Sequence, residues 1–207
     1  MVLPQRGPGR RWPVFECPYD APMQSTEQPP PVAIVVSRYN HSITGPLLRG
    51  AVETLSRRWP GARPAVLRAP GTFELVALSS AALRTGAFEA VVALGCVIKG
   101  QTSHDQHIND AVAQGLAHLA AESGVPVCFG VITAGTDEQA RDRAGGSKGN
   151  KGAEAMGAAL EAIDELRRLR TAAVRNQPEM LSPEAMPPLA GGTDKVAASG
   201  LNGKGSA

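Results

Sequence analysis

The sequence predicts an α/β protein: a three-layer α/β/α sandwich built on a four-stranded parallel sheet. Three observations carry that prediction. Four short apolar runs, near residues 32–36, 64–68, 90–94 and 125–132, alternate with longer stretches of helical period. The stronger runs are apolar throughout rather than at every second residue, the pattern of strands covered on both faces. The segments between them are long enough for the crossover helices that parallel neighbours require, each crossover being right-handed.

The elements follow in order. Residues 1–30 are rich in Pro and Arg, lead into Gln28-Pro29-Pro30-Pro31 and show no sustained apolar period. They read as a flexible extension, with a short strand near residues 12–15 as the alternative. Val32-Ala33-Ile34-Val35-Val36 forms the first strand, and residues 43–58 a helix with Leu47, Leu48, Ala51, Val52 and Leu55 on one face. A weaker strand at 64–68 precedes a helix at 73–84. The third strand, 90–94, precedes a helix at 105–122, and the fourth strand is 125–132. Thr136 has the side chain of an N-cap, with Asp137 and Glu138 in the first turn of a short helix ending at Arg143. Gly145 and Gly146 stop it. The last helix, 151–170, repeats Met156, Leu160, Ile163, Leu166 and Leu169 at helical spacing. Residues 172–207, with Pro183, Pro187, Pro188 and many Gly, Ala and Ser, read as a second flexible extension. The domain is thus placed at 31–171.

Composition narrows the class. Hydrophobic residues make up 43% of the 207, but aromatics only 4%, so Ala, Val, Leu and Ile must fill the core. A net charge of +2 gives no electrostatic case for nucleic acid. Cys17, Cys96 and Cys128 lack metal-ligand spacing and read as reduced thiols of a cytoplasmic protein. No apolar run approaches the ~20 residues of a membrane helix. Arg6, Arg10 and Arg11 have no apolar stretch behind them, which argues against a secretory signal. Glu16, Asp20 and Glu27 argue against a transit peptide.

The unusual residues are not scattered, because each cluster follows a strand. Ser37-Arg38-Tyr39-Asn40 follows the first, and Ala69-Pro70-Gly71-Thr72-Phe73-Glu74 the second. Gly95-Cys96-Val97-Ile98-Lys99-Gly100-Gln101-Thr102-Ser103-His104 follows the third, and residues 129–136 close the fourth. In a parallel sheet the strand ends share one edge, where ligands bind. One crevice is therefore expected to collect Tyr39, Glu74, Thr102, His104 and Phe129. At the start of the third helix, free backbone N–H groups and a partial positive charge suit phosphate. An imidazole, titrating near ~6.5, suits proton transfer beside it. Read alone, His104 is equally a capping residue.

Taken together, four motifs in matching order resemble those of the lumazine synthase family over roughly residues 31–170. They are Arg38-Tyr39-Asn40, Gly71-Thr72-Phe73-Glu74, the run from Gly95 to His104, and Arg143-Ala144-Gly145 followed by Gly149-Asn150-Lys151-Gly152. The resemblance implies a flavodoxin-like sheet and a condensation of 5-amino-6-(D-ribitylamino)uracil with 3,4-dihydroxy-2-butanone 4-phosphate. The product would be 6,7-dimethyl-8-ribityllumazine, with release of phosphate and water and no cofactor or metal.

By the same resemblance, His104 carries the proton. Gln101, Thr102, Arg143 and Lys151 hold phosphate. Tyr39 stacks on the pyrimidine, where the family commonly has Phe or Trp. Thr72, Phe73 and Glu74 bind the ribityl chain, and Cys96, Val97 and Ile98 line the pyrimidine pocket through their backbone. Phe129 reaches the site from a neighbouring subunit. The alternatives are packing for Phe73 and Phe129, small filler for Cys96, and a helix C-terminal cation for Arg143. His41, His107 and His118 read as surface residues. Lys99, where relatives often have Arg, and Asp105-Gln106-His107, where many have an aromatic and an acid, are departures.

The family assembles as pentamers, and some members join twelve pentamers into an icosahedral shell of sixty chains. A homo-oligomer is therefore expected, with small-molecule substrates and neither nucleic acid nor membrane as partner. Two other readings fit the motifs less well: a shell or binding protein without turnover, and a related flavodoxin-like enzyme acting on another phosphorylated substrate.

Overall fold

A computed structural model describes residues 28–175. The chain runs β1 (Val32–Ser37), α1 (His41–Arg58), β2 (Ala65–Ala69), α2 (Leu75–Arg84), β3 (Ala90–Ile98), α3 (His104–Ser123), β4 (Val127–Ala134) and α4 (Asp137–Arg143). A small hairpin of β5 (Ala144–Gly146) and β6 (Gly149–Asn150) then leads into α5 (Lys151–Arg175). The main sheet has the order β2-β1-β3-β4, and every pairing in it is parallel. This is the expected flavodoxin-like sandwich. Strand order reverses at β1, so the switch point, where such sheets bind ligands, lies between β1 and β3.

Alternate residues of β1 feed the two outer layers. Val32, Ile34 and Val36 pack with Ile43, Leu47 and Leu55 of α1 and with Met156, Leu160 and Ile163 of α5. Ala33 and Val35 pack with Leu75 and Ala82 of α2 and with Val112 and Leu116 of α3. β1 is buried along its whole length, whereas edge strand β2 leaves Ala65, Val66 and Arg68 exposed. That edge position explains why its apolar signal is weak.

With few aromatics, the α1/α5 layer closes by near contact of backbones. A Cβ on Gly152 would stand 2.0 Å from the Leu47 carbonyl oxygen, and one on Gly50 would stand 2.5 Å from the Asn150 side chain. Asn150 rivets this joint. Its Nδ2 donates to the Pro46 and Ala144 carbonyls at 3.0 and 3.2 Å. Its Oδ1 accepts from the Gly152 and Ala153 amides at 2.9 and 3.1 Å, which caps α5. Two ion pairs clamp the far end of α5: Arg58 to Asp164 at 2.6 Å, and Arg167 to Glu89 at 2.7 Å.

Several boundaries differ from the sequence reading. β3 continues four residues past Leu94, so Gly95 is a strand residue paired with Val131, not the start of a turn. A Cβ there would stand 3.0 Å from both Thr72 and Leu75. β4 begins after Pro126, which has no N–H for the ladder, and reaches Ala134. α2 starts at Leu75, leaving Phe73 and Glu74 in the turn before it. α5 continues to Arg175, with Ala172 buried. The β5–β6 hairpin is too short to leave a periodic signal. Thr136 caps α4 as expected, its Oγ1 accepting from the Gln139 amide at 3.3 Å. The strand suggested near residues 12–15, and both extensions up to residue 27 and beyond 175, lie outside the described residues.

Candidate active site

The site begins where β1 stops and β3 does not. The β1–β3 register ends at Val36 opposite Leu94, while β3 runs on to Ile98. The Lys99 amide donates to the Ala134 carbonyl at 2.9 Å, toward β4. Peptide groups alternate in direction along a strand, so those of Cys96 and Ile98 face the opening left by β1. The Cys96 carbonyl there accepts from Asn40 Nδ2 at 3.0 Å and from Thr72 Oγ1 at 3.3 Å. One oxygen thereby joins the turns after β1 and β2 to β3.

The turn after β1 is tightly specified. The Tyr39 amide donates to Ser37 Oγ at 3.2 Å, and Thr44 Oγ1 donates to the Ser37 carbonyl at 2.8 Å. The Arg38 amide donates to the Ala69 carbonyl at 2.8 Å. Asn40 adopts a left-handed backbone, φ 54°, which Asn tolerates better than most residues. The result holds Tyr39 out at the sheet end, 70% exposed, where an apolar face has something to bind.

The turn after β2 carries three predicted residues. Thr72 is buried, and Phe73 is 58% exposed, which argues against a packing role within this chain. Glu74 Oε2 accepts from the Gly71 amide at 2.9 Å. Its other oxygen makes no hydrogen bond among the described residues and is available to a hydroxyl.

The segment after β3 is open. Gln101, Thr102, Ser103 and His104 are all exposed, and His104 is the first residue of α3. Ser103 stands at the N-cap but its side chain makes no capping bond. The Gln106 and His107 amides turn back to the Ser103 carbonyl at 3.1 and 3.4 Å, and the His104 amide reaches only Thr102 Oγ1, at 3.4 Å. A twenty-residue helix thus presents a largely unsatisfied positive end beside an imidazole.

Cys96 divides its roles. Its thiol is buried in the α1/α5 layer, and burial, with a smaller contribution from the negative charge of Asp137, pushes it up to about 11. At neutral pH it is protonated and fills space. Only its backbone faces the crevice.

The three remaining predicted residues sit on β4, α4 and α5, outside the turns described so far. Phe129 pairs with Ala93, five residues before the end of β4 at Ala134, or about 16 Å at a strand's rise. Phe129 thus lies near the start of β4 and not with the cluster at the strand end. Its ring is 46% exposed on edge strand β4. Arg143 ends α4, whose Ala140 packs into the α1/α5 layer, while His104 heads α3 on the opposite layer. Arg143 is exposed and makes no ion pair among the described residues. Lys151 pairs with Glu154. The β5–β6 hairpin, with Ala144 opposite Asn150, sets Arg143 and Lys151 side by side.

Sequence reasoning quoted Asn40 within its motif but gave it no task. A small amide at a strand end before a helix was the available signal, and only the fold shows its target. His41, His107 and His118 are exposed, the last 3.1 Å from Glu122.

Comparison with known proteins matches this architecture to a function. The family model for 6,7-dimethyl-8-ribityllumazine synthase matches residues 30–167. A protein of Phocaeicola vulgatus named 6,7-dimethyl-8-ribityllumazine synthase is 44% identical over 140 residues, 66% of this chain and 82% of that one. One of Caulobacter vibrioides, named 6,7-dimethyl-8-ribityllumazine synthase 1, is 43% identical over 143 residues, 69% of this chain and 94% of that one. A third, of Anaeromyxobacter dehalogenans, is 45% identical over 144 residues, 69% and 89% of the two chains. The chain belongs to the 6,7-dimethyl-8-ribityllumazine synthase family.

Proposed function

We propose that the crevice between β1 and β3 is where this chain condenses 5-amino-6-(D-ribitylamino)uracil with 3,4-dihydroxy-2-butanone 4-phosphate. The activity itself, a lumazine-forming transferase reaction of riboflavin biosynthesis, goes with family membership. The observation that carries the site is the uncapped start of α3 with exposed His104 on its first turn.

Each group has a task that its chemistry suits. The Tyr39 ring stacks on the pyrimidine. Backbone groups of Cys96, Val97 and Ile98 meet the edge of that ring. Thr72, Phe73 and Glu74 hold the ribityl chain, the free Glu74 oxygen accepting from hydroxyls. Gln101 and Thr102, with the first amides of α3, hold phosphate. The substrate's 5-amino group adds to the ketone, and water leaves to give an imine. Phosphate departs as the neighbouring carbon loses a proton, and ring closure releases a second water. His104 takes and returns protons in these steps. Phosphate is the leaving group, so no redox step arises.

The site is completed by a second chain. Phe129 is exposed on a sheet edge, and Arg143 and Lys151 lie side by side on the layer opposite α3. Both placements suit delivery to a neighbour's crevice in a pentamer, where a guanidinium grips phosphate in bidentate fashion. Particle mass in solution distinguishes five chains from a sixty-chain shell. We place the enzyme in the cytoplasm, a reading supported by its free thiols at Cys96 and Cys128 and by the lack of a membrane-spanning helix among the described residues.

The test is incubation with both substrates while lumazine fluorescence is followed. Wild type should form product. A chain that forms none and binds neither substrate would sink the assignment. Mixed oligomers of His104→Ala and Arg143→Ala chains should recover activity that neither variant has alone. No recovery would place Arg143 in its own chain's site or outside the site altogether.

A further inference from the structure

Asn40 has no part in the reaction as laid out above, yet its backbone is unusual. It is the one non-glycine residue with a left-handed φ among the described residues. It stands at the N-cap of α1, but its side chain does not cap that helix. The amide turns away instead, and Nδ2 donates to the Cys96 carbonyl at 3.0 Å. Thr72 Oγ1 donates to the same oxygen at 3.3 Å. Two donors occupy both lone pairs of that carbonyl. The next peptide facing this side is that of Ile98, whose N–H and C=O remain for a ligand.

This arrangement matters for a flat ring bound from two directions. A uracil presents alternating N–H and C=O groups on its edge and a π surface on its face. The edge meets β3, and the face meets Tyr39, which is carried on a different strand. Both contacts form together only if the β1 turn and β3 keep a fixed spacing. Among the described residues, the Asn40 amide is the side-chain hydrogen bond that links those two segments. Thr72 ties a different turn, the one after β2, to the same oxygen. We infer that Asn40 is a positioning residue that sets the spacing between the Tyr39 ring and the Cys96–Ile98 backbone, and so sets affinity for the pyrimidine substrate. The inference rests on the reading above, in which those two elements hold the pyrimidine. Asn40 acts through Tyr39 and does not touch substrate.

Two substitutions separate the amide from the backbone. Asn40→Gly keeps the left-handed conformation and removes the donor. Asn40→Asp keeps size and shape but turns a carboxylate oxygen toward the carbonyl. Both should raise KM for the ribitylaminouracil about tenfold, the scale of one lost hydrogen bond, with kcat held within about twofold. KM for the butanone phosphate should stay at the wild-type value. Calorimetric titration with the ribitylaminouracil alone should show the same weakening without turnover. Wild-type affinity in Asn40→Gly would mean that only the backbone conformation matters, which overturns the inference. An equal rise in both KM values would mean general damage and overturns it too. A wild-type chain that neither binds the ribitylaminouracil nor forms lumazine removes the functional reading and the inference with it. A wild-type chain that does both, matched by both variants, removes the Asn40 inference alone.

Discussion

Gly100-Gln101-Thr102 and Gly149-Asn150-Lys151-Gly152 look alike as strings, each a glycine-bounded turn before a helix, and they are opposites as structures. At Gly152 a Cβ would stand 2.0 Å from a backbone oxygen, and neighbouring Asn150 spends its whole side chain on four hydrogen bonds. At Gly100 a Cβ would meet nothing within 4 Å, and the residues after it are exposed. The fold therefore demands the first glycine and is indifferent to the second. A glycine that packing does not need leaves room for close approach from outside the chain, and an uncapped helix start beside it suits the phosphate of the proposed function. A motif reports that a segment is constrained. Only geometry reports by what.

The largest effect expected is at the joint. Gly152→Ala must push α1 and α5 apart by more than an ångström, because the obstacle is the Leu47 backbone and not a side chain that can rotate. Destabilisation of about 4 kcal/mol or more is expected, seen as a loss of soluble protein or a large fall in the urea midpoint. A midpoint within about 0.5 kcal/mol of wild type would show that the two helices re-seat freely, and the contrast between the segments would collapse. His104→Ala should do the reverse. Removing a proton carrier lowers kcat by about 10²–10⁴, and an exposed first-turn residue leaves the urea midpoint where it was. Full activity in that variant would remove His104 from the chemistry.

How much of this was legible follows the same division. The four strands, their parallel arrangement and the Thr136 cap were readable, because burial on both faces and capping chemistry leave local marks. The end of β3 was not: Gly95 reads as a turn, and only the register with Val131 and the approach of Thr72 make it a strand residue. The resemblance assigned Phe129 to a neighbour's site, but its distance from the end of its own strand was not legible, since that depends on where β4 ends. Arg143 and Lys151 are eight residues apart in sequence, and their adjacency comes from a hairpin too short to be periodic. Asn40 was visible and unassigned, because its partner Cys96 lies 56 residues away.

Cys96 tests whether one residue can belong to both regions. Its backbone faces the crevice, but its thiol sits in the α1/α5 layer with its titration pushed from 9.0 to about 11 by burial, with Asp137 adding a smaller push. Folding therefore disfavours the thiolate. The associated stability is intact below about pH 9, falls as pH rises above it, and levels off near 11, where both states are ionised. The loss across that window should be about 2–3 kcal/mol, taken as wild type minus Cys96→Ala so that Lys and Tyr titrations cancel. Identical pH profiles for the two proteins would show that the thiol is not held away from water. Turnover by Cys96→Ala should persist, since the backbone that faces the substrate is unchanged.

The smallest effect is the most discriminating. Gly100 does not have a left-handed backbone and has open space around it, so alanine fits there without strain. Gly100→Ala should leave the urea midpoint unchanged. Its methyl group would crowd the approach of a phosphate oxygen to the backbone amides that precede His104. KM for the butanone phosphate, and the inhibition constant of inorganic phosphate, should each rise about tenfold, while KM for the ribitylaminouracil holds. A destabilised variant would mean that packing requires this glycine after all, making the two turns the same kind of structure. A variant neutral in both assays would mean that phosphate does not come close at Gly100, and the cradle would have to be sought among the amides of α3 alone. Opposite responses of the two KM values, with an intact fold, would tie the open turn to one substrate and the Tyr39 side of the crevice to the other.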